Sequence, residues 1–516
     1  MSLAARVGRA IFWGQAGRFA EAAILFFFSL LLARVLGPAS YGLYALGMSL
    51  AGVCGFLTLL GLGPETLGRF LPEIAADGQR HRANALLRAL LGIRSAAIVF
   101  VACLAFIFRN AIFVRLHFPL VVASLAAVLV VFAARSILDL LTYFSSGLLE
   151  LRRVAFAKLV AAAIAPTLFV ILLTLRRGGV NSAWLAFAGG SLAGIVILAL
   201  PFFFGRATSR VSAPLPLRRI LAFGMFAWAT NFFLYILGDN MDVLLLGWLV
   251  PDRAAIGCYA VGARIVFSVT GLLLGWALLA SVATFSEALQ SRGNEGLARV
   301  VEAQWKLSVL CVAGPFVLLI RYAREIVLIF YSAAYAPSVP VIEILAVLVA
   351  AGSVLGFSLG TSALYATSHE RLACGLVAVA AVFNVFSEVL LVLRMGMPGA
   401  ALATGLSFVL LAILSGAASR RYIPWRFPAA FVAKVSAATM IAIVPTFWFS
   451  VRTFASLALG AAVWAAVFLA ALSLLKPLAD GDSAALGRVH PRLAGVADLF
   501  SPRSASVVLG GSTWQG

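Results

Sequence analysis

Eleven ionisable side chains stand within or at the ends of long apolar runs: Arg18, Glu21, Arg94, Arg135, Asp139, Asp239, Asp242, Arg264, Glu343, Glu388 and Lys434. At the centre of an apolar span such a charge costs at least about 2.5–3.5 kcal/mol, so most of them must face protein or water. Asp239 and Asp242 lie one helical turn apart and so share a face. A carboxyl group held away from water is able to carry a proton, and two together can hold Na⁺. The pair is therefore a candidate for ion coupling or for an exterior gate, with a salt bridge to Arg264 as the alternative. Arg18 and Arg264 carry guanidinium groups whose forked donors match phosphate oxygens. If both point into one cavity they form an anion site; the competing role is packing with Glu21 or another buried partner. Arg135 and Asp139 are spaced i,i+4 and are expected to neutralise each other within one helix. Arg94 and Lys434 lie close enough to the ends of their runs to snorkel into water. Glu343 and Glu388 fall near the opposite ends of theirs.

Other chemistry is missing. No lysine precedes Ser or Thr, so there is no Walker A loop and ATP is not a direct energy source through this chain. The nearest approach to a zinc-protease motif, His369-Glu370, has Ala373 where the second histidine is needed. The cysteines Cys54, Cys103, Cys258, Cys311 and Cys374 all fall inside apolar runs, where a small polarizable side chain packs, and no disulfide framework or metal-ligand spacing follows from them. The sequence thus offers no catalytic constellation, no metal site and no cofactor motif, and it reads as a protein other than an enzyme.

The elements that must position these charges follow from hydropathy. The chain is 63% hydrophobic and 11% charged, against roughly half apolar in soluble domains. Its apolar runs repeatedly reach the ~20 residues needed to cross a ~30 Å hydrocarbon layer as a helix. They show no strand alternation, which excludes a barrel and predicts an all-α integral membrane protein. Fourteen transmembrane helices are predicted near 11–35, 41–62, 89–108, 119–148, 154–175, 183–205, 220–248, 256–284, 305–322, 338–366, 372–393, 399–419, 428–451 and 456–475. The net charge of +20 does not mark a nucleic-acid partner, because the basic residues lie between apolar runs and not on one soluble face. Counted over alternate loops, 24 Lys and Arg fall on the side of both termini and ten on the other, which predicts cytoplasmic N- and C-termini.

A short pattern recurs. GLYALG at 42–47 returns as GCYAVG at 257–262, a shift of 215 residues that also lays Phe70 on Phe285 and Gly78 on Gly293. Six helices separate the equivalent ones, which suggests duplication of a six-helix unit with the substrate path between the copies. The expected organisation is a lobe at 1–205, a linker at 206–219, a second six-helix lobe at 220–419, two further transmembrane helices at 420–475 and a polar cytoplasmic tail at 476–516. Arg18 and Arg264 each lie in the helix next to one copy of the repeated turn. Gly352, Gly356 and Gly360 form a GxxxGxxxG ridge, and Gly271 with Gly275 a second small face, both suited to close helix approach.

The stretches LLLARVLGPASYGLYALGMSLAGV, LGRFLPE, FGMFAWATNFFLYILGDNMDVLLLGWLVPDRAAIGCYAVGARI and IFYSAAYAPSVPVIEILAV resemble polysaccharide flippases of the MOP superfamily, the multidrug/oligosaccharidyl-lipid/polysaccharide exporters. The resemblance covers most of residues 10–475. It implies a two-lobed, MATE-like fourteen-helix exporter of the bacterial inner membrane that carries a lipid-diphosphate-linked oligosaccharide from inner to outer leaflet for O-antigen, capsule or exopolysaccharide synthesis. Lumens lined with basic residues belong to the same implication. The partners it implies are the lipid-linked oligosaccharide, membrane lipids, a polysaccharide polymerase and other assembly proteins; transport is either downhill or coupled, through the Asp239–Asp242 pair, to an H⁺ or Na⁺ gradient. Two rivals make different demands: a multidrug/cation antiporter would favour acidic cavities, and a membrane glycosyltransferase or ligase would need a sizeable exterior loop.

Overall fold

A computed structural model describes residues 3–75, 80–118, 122–175, 178–204, 217–356, 359–479 and 500. Most of the expected linker at 206–219 and of the tail at 476–516 lies outside these residues, as does Gly78. Among the described residues there are helices and no strands. In hydrocarbon a backbone must satisfy its own polar groups, and long apolar runs can do so only by coiling. The α-helices are α1 (Leu3–Leu57), α2 (Pro64–Ala75), α3 (Arg80–Ile107), α4 (Arg109–Arg115), α5 (Val122–Gly147), α6 (Leu151–Thr174), α7 (Val180–Phe204), α8 (Leu217–Ile236) and α9 (Asp239–Leu249). They continue as α10 (Arg253–Arg321), α11 (Ala323–Ile326), α12 (Val339–Val354), α13 (Leu359–Ala366), α14 (Glu370–Met395), α15 (Met397–Ser419), α16 (Ala429–Ile443) and α17 (Phe454–Leu475).

Thirteen helical segments among the described residues are long and apolar enough to span a membrane. One of them, Gly17–Leu57, is bent at Gly37 into two lengths, which accounts for the fourteen expected. The chain is a multi-pass membrane protein. At the bend Gly37 adopts φ 71°, ψ 170°, and Pro38 supplies no amide hydrogen to continue the ladder. The expected turn is therefore a one-residue break and not a loop.

Two expected long helices are also interrupted. The one predicted over 220–248 breaks between α8 and α9, where Gly238 is extended (φ −93°, ψ 158°). The one predicted over 338–366 breaks after α12 at Gly356, φ 89°. The GxxxGxxxG ridge is thus not continuous: Gly352 and Gly360 admit the α15 backbone at Phe408 and Ser415, while Gly356 ends the helix between them. Among the described residues Gly271 and Gly275 have no neighbour within 4 Å of a Cβ position, so no close approach is made to them there.

The chain clusters into two compact units. The first comprises Met1–Arg264, Tyr331–Ser338 and Ala381–Thr404. Its interior includes Leu67, Phe70 and Leu71 of α2, whose opposite face exposes Glu65 and Arg69. Helices α6 and α7 touch through backbone, with the Cβ position of Gly190 only 2.4 Å from the Ala161 carbonyl oxygen. The two copies of the repeated turn also lie in this unit and meet each other. A Cβ on Gly42 would fall 2.0 Å from the Arg253 carbonyl oxygen, and one on Gly257 2.0 Å from that of Pro38.

The second unit comprises Ile265–Phe330, Val339–Ala380 and Gly405–Gly516. Trp305, Trp425, Trp464 and Phe468 anchor its core. At the start of α17, Thr453 accepts from the Ser456 amide at 3.2 Å and Ser456 Oγ accepts from the Thr453 amide at 3.0 Å, a reciprocal cap. Thr453→Ala should cost about 1 kcal/mol locally, seen as roughly fivefold faster hydrogen exchange in the first turn of α17. Unchanged exchange there would refute the cap.

Candidate functional site

Within the first unit, α1, α3, α5, α6, α7, α8, α9 and α10 enclose a cavity of about 480 Å³. Its wall carries four cations, Arg94, Arg135, Lys158 and Arg264, and three carboxylates, Glu21, Asp139 and Asp239. Lys158 and Glu21 are paired at 3.5 Å. Arg264 forms no hydrogen bond or ion pair within 4.0 Å to the described residues; Asp239 and the phenols of Tyr41, Tyr44 and Tyr331 surround it. Those tyrosines belong to an aromatic cluster: Tyr41 lies 5.8 Å from Tyr44 and 6.2 Å from Tyr335, and Tyr331 lies 5.8 Å from Tyr335. The Tyr335 hydroxyl donates to the Ala33 carbonyl at 2.8 Å, which ties the cluster to the first length of α1.

The sequence leaves open whether Arg18 and Arg264 face one cavity or pack with Glu21 and other buried partners. The structure separates them. Gly17 faces α6, its Cβ position 2.5 Å from the Ala155 side chain, and Arg18 stands exposed and outside the cavity wall, nearer the start of α1 than Glu21, which is in that wall. Four residues on from Gly17, Glu21 returns to the α6 face and meets Lys158, three residues on from Ala155. Glu21 is thus paired with a lysine. Arg135 and Asp139 both line the cavity but form no ion pair within 4.0 Å; Arg135 instead stands 5.6 Å from the centre of the Phe187 ring.

Asp239 and Asp242 both fall in the first turn of α9, where the break at Gly238 leaves backbone amides uncapped and carboxylates are favoured. Their surroundings differ. Asp239 is in the cavity wall, whereas Asp242 is fully buried in a second cluster. There Asp242 Oδ2 accepts from the Tyr259 hydroxyl at 2.5 Å and from the Thr404 hydroxyl at 2.8 Å. Glu388 of α14 faces Asp242, and Asn384 lies one turn before it. Among the described residues no hydrogen-bond partner meets Asp242 Oδ1, either carboxylate oxygen of Glu388 or either amide atom of Asn384, all of them buried. A half-satisfied polar cluster of this kind is costly unless something completes it. Its acceptors are all hard oxygens, the chemistry that takes up a proton or a small cation.

Sequence reasoning had set Glu388 aside as a residue near a helix end. The usable signal was Asn384 and Glu388 at i,i+4 within an apolar run, two polar residues on one face. Thr404 and Tyr259 carry no such signal, since only the fold brings them to Asp242. Arg94, taken as a snorkelling residue, is 2% exposed and in the cavity wall. Lys434 does reach a surface, donating to the Lys476 carbonyl at 3.1 Å, and Glu343 is exposed.

The profile of a family described as polysaccharide biosynthesis protein matches residues 7–289. No curated protein sequence matches the chain. Among solved structures the fold is similar to that of "Lipid II flippase MurJ, inward closed conformation", with a TM-score of 0.70 and 16% identity over 90% of this chain and 98% of that one. It is also similar to an inward-facing multidrug resistance MATE family transporter of the MOP superfamily, with a TM-score of 0.66 and 13% identity over 78% and 94%. An outward-facing structure of such a transporter gives a TM-score of 0.55 at 16% identity over 81% and 94%.

Proposed function

The chain belongs to this polysaccharide biosynthesis protein family, and on that premise we propose that it is a flippase for a polyprenyl-diphosphate-linked oligosaccharide. It carries this lipid from the inner to the outer leaflet of the bacterial inner membrane, with both termini in the cytoplasm, and delivers it to O-antigen, capsule or exopolysaccharide assembly. Two six-helix halves alternate access to the cavity.

The observation that carries this reading is the cavity itself. A guanidinium at Arg264, exposed in the cavity wall beside aromatic rings and without a hydrogen-bonded partner among the described residues, is a receptor for phosphate oxygens. The likeness to a flippase fold supports the same reading. The buried cluster of Asp242, Glu388, Asn384 and Thr404 is the coupling element in this proposal: H⁺ or Na⁺ binds there, and its gradient drives the return of the empty carrier.

The test is reconstitution in vesicles with a labelled polyprenyl-diphosphate trisaccharide, following its accessibility to a reagent outside. Arg264→Ala removes charge-assisted hydrogen bonds worth about 1.5–3 kcal/mol and should slow translocation by about ten- to a hundredfold. Equal rates in wild type and variant would defeat the cationic-cavity mechanism. If the wild type moves organic cations and no lipid-linked sugar, the protein is an antiporter.

A further inference from the structure

The cavity stops short of the bend at Gly37. On α1 its wall ends at Ser29 on the first length and at Tyr44 on the second. Beyond that point the packing is backbone on backbone, with Gly42 against the Arg253 carbonyl and Gly257 against that of Pro38. Such contacts shut the end by shape and carry no strong bond of their own.

The strong bonds lie beside them. Arg253, the first residue of α10, donates from Nε at 3.2 Å and from Nη2 at 2.8 Å to the carbonyl of His117, in the connection between α4 and α5. A guanidinium fork on a carbonyl is a charge-assisted pair. The His117 ring in turn meets the Gly247 carbonyl through Nδ1 at 3.0 Å. That carbonyl would ordinarily accept from residue 251 of a continuing helix, but Pro251 has no amide hydrogen. A carbonyl only accepts, so Nδ1 carries the ring proton and His117 donates there. One residue of the α4–α5 connection thus accepts from the start of α10 and donates to the end of α9.

His117 is strained in making these bonds. Its φ is 49°, the left-handed position that closes α4: the Phe118 amide bonds back to the Phe113 carbonyl at 3.0 Å, and glycine is the usual occupant of such a place. A residue with a Cβ is strained there, and strain kept where glycine would relieve it points to a role for the side chain. On the other flank Phe118 stacks on Trp184 of α7 (5.8 Å, 13°), whose indole donates to the Tyr44 carbonyl at 3.2 Å. The connection is therefore fixed to α7 and α1 while His117 reaches α9 and α10.

All these bonds cross one boundary. Pro38, Gly42 and His117 belong to the lobe expected at 1–205, and Gly247, Arg253 and Gly257 to the one expected from 220. Alternating access requires the two to part at this end. His117 and Arg253 are both half-buried, so water takes over each polar group when the bonds break, and the closure is reversible.

We propose that Arg253 and His117 form a latch that holds the Gly37 end of the cavity shut, the exterior end in the reading above, and that releases before this end opens. The latch rests on that reading for the direction of opening.

The test is the distance between spin labels on Val114→Cys and Trp248→Cys, both exposed positions, in the full chain with its native cysteines replaced and reconstituted in vesicles. Wild type should show one dominant short distance and a minor longer one. Arg253→Gln should raise the longer population about tenfold, and Arg253→Lys, which keeps the charge without the fork, by less. His117→Gly relieves the strained φ and keeps the closure of α4 but removes the ring bond. It should raise the longer population severalfold with an unchanged or higher thermal midpoint, a split that a merely structural role would not give, and it decides the matter if the Arg253 variants do not fold. Populations unchanged in either folded Arg253→Gln or His117→Gly overturn the latch and leave the flippase reading intact. A wild type whose longer population responds to organic cations and not to a polyprenyl-diphosphate trisaccharide would defeat the flippase reading and leave the latch standing.

Discussion

Gly257→Ala destabilises the protein by about 3 kcal/mol or more, the upper end of what overpacking a close contact costs. The added methyl group would stand 2.0 Å from the Pro38 carbonyl oxygen and 3.0 Å from the Gly42 amide nitrogen, both backbone atoms that no rotamer change can move. Gly42→Ala meets the mirror-image obstacle at Arg253 and Gly257 and should cost a similar amount. Because each substitution breaks the same contact, the double variant should fall well short of the sum. Thermal unfolding in detergent measures this, with a drop of several degrees for each single variant and little more for the pair. Unchanged midpoints in both single variants would mean that the two copies of the repeated turn separate without penalty.

Asp242→Asn abolishes gradient-driven transport, by about a hundredfold or more, while farnesyl diphosphate binding in the cavity stays within about twofold of wild type; the first figure reflects the loss of a buried charge and its assisted hydrogen bonds, worth about 1.5–3 kcal/mol each. Asp242 is outside the cavity wall, so the substrate does not touch it. It is, however, the acceptor for both Tyr259 and Thr404, and it faces Glu388. Two carboxylates in contact and out of water do not both remain charged without a counterion. Uptake or loss of a cation therefore changes how the Asp242 end of α9 and the Glu388 turn of α14 hold each other. Glu388→Gln should act in the same direction. Vesicles with imposed Na⁺ or pH gradients would identify the ion. Transport by Asp242→Asn that still accelerates under either gradient would make the cluster structural.

Much of the fold was legible because the bilayer imposes a length. Runs of apolar residues announce helices without reference to anything distant, and Gly37-Pro38 announces a break from backbone chemistry alone. The site was legible only in part. Hydropathy identifies which charges are stranded in a span but not which way they face, and Arg18 and Arg94 show the difference. Each is a lone arginine in an apolar run. Arg18 stands exposed outside the cavity wall, whereas Arg94 is buried and turns inward to the Gly55 carbonyl.

The sequence by itself determined that this is a helical membrane protein built with a repeated turn, that it resembles a family of polysaccharide exporters, and that arginines and carboxylates are stranded in its apolar runs. Only the tertiary structure decided which charges meet. Asp242 and Glu388 are brought together across the many residues that separate them, and Asp239 and Asp242, neighbours in sequence, are sent to different surroundings. The physical reason is that spanning a bilayer is a property of each segment's own composition. A site made of charges depends instead on helix rotation, and rotation is set by which small residue touches which distant backbone.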